Sequence, residues 1–232
     1  PESRAVWQAF PRRPAILRPM RDAGEAMTPE ALLARLAARI AAQAPGRFLR
    51  VGVDGVDGVG KTTFADRLGA AVAGLGRPVA RASADGFLNP RAIRYRLGRG
   101  SPEGFYRDTY DLAALRRHLL DAFAPEATGR FRATVFDPAA DAPLPVVEQQ
   151  AAPGATLILD GMFLHRPELR ACWDLSIFLD APFAVTVPRG VARGPAFGSP
   201  DPDAPSNRRY VEGQRLYRAE CVPAAHAHVV ID

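Results

Sequence analysis

Apolar positions along this chain recur in two rhythms. Leu32, Leu33, Leu36 and Ile40 fall at helical spacing behind Thr28-Pro29-Glu30. There a hydroxyl caps the helix, a proline fits its first turn and an acid meets its positive end. Pro45-Gly46 stops that helix. The run over 48–53 is instead almost continuously apolar and reads as a buried strand, followed by a glycine-rich turn and a helix over about 61–75. Further strands are predicted over 79–84, 156–159, 175–179 and 228–231, the first three running into Asp85, Asp160 and Asp180. Helices are expected over 111–123, 167–172, 182–193 (with Pro188 inside) and 207–221. The stretch 125–153 is rich in Pro and Ala and predicts one strand near 133–136, and 194–206 reads as a mobile loop. Apolar strands alternating with helices predict an α/β protein whose parallel sheet is covered by helices on both faces. Residues 1–27 show no periodicity and read as an arm; residues 28–232 form the folded domain.

Composition narrows the class. Of 232 residues, 47% are hydrophobic and 24% charged, which excludes wholesale disorder. No apolar run is long enough to span a bilayer, so no membrane partner is expected. Pro1 to Met20 is Arg- and Pro-rich, unlike a secretory signal. The two cysteines, Cys172 and Cys221, form no disulfide scaffold. Both readings make the cytoplasm the expected location. The net charge of +5 suits an anionic ligand, but acids are interspersed and no arginine block appears, so no nucleic-acid partner is expected. The four histidines show no metal-ligand spacing; His226 and His228 share a strand face without a third ligand.

One motif carries chemistry. Gly55-Val56-Asp57-Gly58-Val59-Gly60-Lys61-Thr62 fits G-x-x-x-x-G-K-[ST] between a strand and a helix. Glycines let successive backbone N–H groups face a phosphate, and the helix start adds its positive end. Lys61 neutralises the outer phosphates and the Thr62 hydroxyl ligates Mg²⁺. Lys61 is the one lysine among 30 basic residues, placed where the motif demands a compact ammonium. The phosphates of a nucleoside triphosphate are expected to be cradled by Gly55, Val56, Asp57, Gly58, Val59, Gly60, Lys61, Thr62 and Thr63. A GTPase-type switch would need Asn-Lys-x-Asp, and no second lysine exists to supply it.

Residues 55–63, Asp85-Gly86-Phe87, the segment Ser101-Pro102-Glu103-Gly104-Phe105-Tyr106-Arg107-Asp108-Thr109-Tyr110-Asp111, and Asp160-Gly161-Met162 resemble the uridine kinase family. That family lies within the uridine kinase, phosphoribulokinase and pantothenate kinase group of P-loop kinases. The resemblance runs from about residue 48 to 232. It implies a P-loop NTPase fold with a mobile lid over about 188–206, and γ-phosphoryl transfer from ATP to a hydroxyl. The expected acceptor is a nucleoside, at the 5′-hydroxyl of uridine or cytidine. A pantothenate- or phosphoribulose-type acceptor and a catalytically weakened nucleotide-binding regulator are the alternatives. The resemblance places Asp85 as the base, Asp160 with Thr62 on Mg²⁺, and Arg189 and Arg193 on the lid. Asp160 stands where the family often has Glu, and Gly194 where its lid has Asp. Arg94, Arg96, Tyr106 and Gln214 are implied acceptor contacts. The proline-rich arm could reach a neighbouring subunit in a homo-oligomer.

Overall fold

The computed structural model describes residues 28–43, 45–193 and 198–232; the arm 1–27 and Gly194 lie outside them. Five strands form one parallel sheet: β1 (Leu49–Gly55), β2 (Val79–Ser83), β3 (Thr156–Gly161), β4 (Leu175–Leu179) and β5 (Val229–Ile231). Their order is β2-β3-β1-β4-β5. β1 is central, with Val51 level with Ile158 on β3 and with Leu175 on β4.

Why the strands read as continuous apolar runs is visible in β3. Ile158 packs into a core with Val51, Val53, Leu68 and Ile177, whereas Leu157 and Leu159 point into a second core on the opposite face. Both faces are covered, so both sets of alternating positions must be apolar. Helices α1 (Pro29–Ala41) and α2 (Lys61–Gly74) close the first face with Leu33, Leu36, Ile40, Leu68 and Val72. Thr28 caps α1, its hydroxyl accepting the Ala31 N–H. The second face is closed by α3 (Pro102–Asp108) and α5 (Arg208–Cys221), together with a helical stretch over 112–123. That stretch begins as predicted, with the Asp111 carboxylate capping it at Ala114, but widens over Arg116–Leu120 and tightens over Asp121–Phe123. α4 (Phe183–Arg193) lies against α5 through Val187 and Val211.

Two local expectations change. The region near 133–136 holds no single strand; two antiparallel ladders form instead, Arg130–Phe131 with Gln149–Gln150 and Phe136–Asp137 with Ala142–Pro143. Only Phe131 and Phe136 of these are buried, so two anchors rather than an alternating pattern hold the segment. The helix expected over 167–172 is a single turn, Arg170–Cys172. The basic stretch 86–107 contains a turn of helix at Arg91–Arg94 and most of α3, whose Ser101 cap accepts the Gly104 N–H. Among the described residues no helix is long and apolar enough to cross a membrane.

Candidate active site

β1, β2 and β3 all deliver their carboxyl ends to one cleft, the place where open parallel sheets bind ligands. Asp57, Gly58, Gly60, Lys61, Thr62, Ser83, Asp85, Tyr110, Asp160, Gly161, Met162 and Arg193 line it.

The loop after β1 has the geometry its glycines predict. Gly60, at φ +99°, turns the chain into α2. Gly58, at φ +76°, lies so close to α4 that a Cβ there would sit 2.1 Å from the Thr186 carbonyl oxygen and 3.1 Å from the Gly190 nitrogen. A side chain at Gly58 would push the two backbones apart. Gly190 of α4 is therefore packed against the loop. The Lys61 ammonium donates to the Val56 carbonyl at 2.8 Å, folding back over the loop it serves. Gly55 ends β1, Val56 and Val59 lie in the loop, and Thr63 stands in the first turn of α2.

At the floor, the Thr62 hydroxyl donates to Asp160 Oδ2 at 2.8 Å. Asp160 is buried, and its Oδ1 accepts from Arg81 at 2.9 Å; Arg81 also pairs with Asp66 at 2.9 Å. A hydroxyl and a carboxylate side by side are the hard oxygen donors that Mg²⁺ takes, so this pair fits the ion. Asp85 stands on a tight turn, Ala84–Phe87, whose start is capped by the Ser83 hydroxyl. Its side chain is exposed, and its Oδ1 accepts from the buried Tyr110 hydroxyl at 2.9 Å. Burial, then the neighbouring Asp85 and Asp57 carboxylates, push the Tyr110 phenol well above its usual range, so it stays a donor.

Of the two lid arginines, Arg193 reaches the cleft, whereas Arg189 is exposed outside it. The four implied acceptor contacts lie elsewhere. Arg96 holds Asp108 by two bonds, at 2.9 and 2.8 Å. Arg94 donates to the Asn89 carbonyl at 2.7 Å. Tyr106 is buried in the core among Phe163 and Tyr217, with its hydroxyl 3.1 Å from Cys221 Sγ. Gln214 is buried, its Oε1 accepting the Asp57 N–H at 2.7 Å and its amide donating to the Tyr210 carbonyl at 3.0 Å. Both ends of that amide are taken, and α5 is tied to the loop.

Sequence reasoning missed Asp54, the residue before the loop. It is fully buried; Oδ1 accepts the Gly55 N–H at 2.7 Å, while Oδ2 accepts His165 Nδ1 at 2.7 Å and the Tyr217 hydroxyl. An acid in the middle of an apolar strand was the available signal, because buried carboxylates need partners. Among the described residues no cluster of three His, Cys, Asp or Glu is arranged to hold a metal. His228 Nδ1 is bonded to Ser176.

The parallel sheet, the glycine loop on its central strand and the Lys-Thr-Asp floor define a P-loop nucleotide-binding fold. Solved structures of P-loop kinases share it. A protein provisionally named a uridine kinase, from Bacillus stearothermophilus, is 23% identical with a TM-score of 0.66, over 86% of this chain and 97% of that one. A protein provisionally named a fructose transport system kinase, from Silicibacter sp. TM1040, is 27% identical with a TM-score of 0.66, over 86% of this chain and 98% of that one. No family model and no curated protein sequence matches the chain.

Proposed function

We propose that this protein is an ATP-dependent small-molecule kinase that transfers the γ-phosphoryl group to an acceptor hydroxyl. The observation that carries the reading is the convergence of Lys61, Thr62, Asp160 and Asp85 on one cleft. Backbone amides of the loop and the Lys61 ammonium hold the phosphates, and Thr62 with Asp160 holds Mg²⁺, which when bound neutralises phosphate charge. Asp85, held through one oxygen by Tyr110, takes the proton from the acceptor hydroxyl with the other. The hydroxyl oxygen bonds to the γ-phosphorus, the bond to the β-phosphate oxygen breaks, and ADP leaves. Arg193 is placed to balance charge on the group in transfer.

The finer reading is a nucleoside acceptor, reacting at the 5′-hydroxyl of uridine or cytidine, in the cytoplasm. Sequence segments around Asp85, Tyr110 and Asp160 support it, as does the likeness of fold to the protein provisionally named a uridine kinase. The test is ADP release with ATP, Mg²⁺ and a panel of uridine, cytidine, pantothenate and ribulose 5-phosphate. Turnover with a pyrimidine nucleoside, lost in Lys61→Ala with folding retained, supports the reading. Full activity of Lys61→Ala overturns it.

A further inference from the structure

Phosphate loops bind polyanions, yet this one carries an acid, Asp57, in its middle. Two observations separate Asp57 from phosphate binding. Its N–H already donates to Gln214 Oε1 at 2.7 Å, so that amide does not face the triphosphate. Its carboxylate lines the cleft beside Asp85 and Tyr110 and, among the described residues, accepts no hydrogen bond. Loss of water around it, together with Asp85, holds Asp57 above the usual carboxylate range, while Lys61 pulls it down. A partly desolvated carboxylate without donors is unfavourable until a ligand supplies them. Phosphate oxygens cannot, having the same charge. The Lys61 ammonium donates to the Val56 carbonyl and not to Asp57.

We infer that Asp57 determines acceptor specificity: its carboxylate accepts a hydrogen bond from a second, non-reacting hydroxyl of the acceptor and repels acceptors that carry their own phosphate or carboxylate. Asp85 meets the reacting hydroxyl, and Asp57 meets its neighbour. The acceptor class is a neutral, hydroxyl-rich molecule such as a ribonucleoside or a free sugar. This rests on the kinase reading and deepens it.

The test is calorimetric titration of the full chain, saturated with Mg²⁺ and a non-hydrolysable ATP analogue. The probes are uridine, cytidine, 2′- and 3′-deoxyuridine, D-fructose, ribulose 5-phosphate and glycerate. Wild type should bind at least one neutral probe and neither anionic one. Asp57→Asn should weaken the neutral probe about 10- to 100-fold, the range for a hydrogen bond to a charged group. One deoxy analogue should bind wild type equally weakly, with no further loss in the variant. Asp57→Ser should admit an anionic probe. Affinity for the analogue should not fall in either variant, since removing a carboxylate relieves repulsion of the polyanion, and the requirement for Mg²⁺ should persist. The inference is overturned if anionic probes bind wild type as well as neutral ones, if no neutral probe binds, or if Asp57→Asn leaves neutral binding unaltered. It is equally overturned if the variants lose analogue affinity, since the carboxylate would then serve the nucleotide or its metal. Wild type that takes up no ATP with Mg²⁺ refutes the kinase reading itself.

Discussion

The Tyr110 hydroxyl fixes one oxygen of Asp85 and so leaves the other at a defined angle to the cleft. Tyr110→Phe keeps the buried ring and removes that bond together with the phenol's hydrogen bond to the Met162 backbone. Turnover should fall about 10-fold, less than the roughly 100-fold or more that loss of a general base itself costs, with acceptor KM nearly constant; a rise in KM alone would show that the phenol binds acceptor instead. Asp57 makes a prediction about stability. Its folded-state carboxyl holds a proton more tightly than the unfolded chain does. Ligand-free protein therefore loses stability as pH rises from the ordinary aspartate range through the raised value, and beyond it the penalty is constant. Asp57→Asn should melt above wild type at neutral pH, and the gap should close on acidification. Thermal melts across pH check this, and an equal gap at all pH values would refute it.

Among elements, the loop is clamped between two helices. α4 presses its Thr186 carbonyl onto Gly58, and α5 holds the Asp57 amide through Gln214. Gly58→Ala combines a collision with a left-handed φ, which alone is worth about 1–3 kcal/mol; chemical denaturation should show at least that loss, and ATP affinity should fall with it. Gln214→Leu frees the Asp57 N–H without opening space, so nucleotide affinity should change more than melting temperature. How legible these elements were depended on their chemistry. The strand runs, the capped start of α1 and the glycine-Lys-Thr turn were all visible, because each rests on local rules of spacing and capping. The roles of Gln214 and Tyr106 were not. Both sit in segments that resemble known kinases, but their contacts come from residues 157 positions away at Asp57 and 115 away at Cys221. The packing of Gly190 against Gly58 is likewise a contact between segments distant in the chain.

For the molecule as a whole, the two cores meet only across the sheet, and polar groups at its centre connect them to the site. Asp54 joins β1 to Tyr217 on α5 and to His165 after β3. Tyr217→Phe removes one donor from a fully buried carboxylate and should lower unfolding free energy by about 1.5–3 kcal/mol. Burial and Asp54 both push the Tyr217 phenol well above its normal range, so this loss should not vary with pH through neutrality. The succession of apolar strands and helices foretold the covered sheet; it could not foretell strand order, which is a matter of long-range pairing.

Having a single lysine also gives the protein a built-in reporter. Apart from the amino terminus, every amine-directed label must land on Lys61, at the mouth of the cleft. Acetylation followed by intact-mass measurement would thus read nucleotide occupancy directly: two added groups on the empty protein, one at the amino terminus and one at Lys61, and only the first when triphosphate shields the side chain.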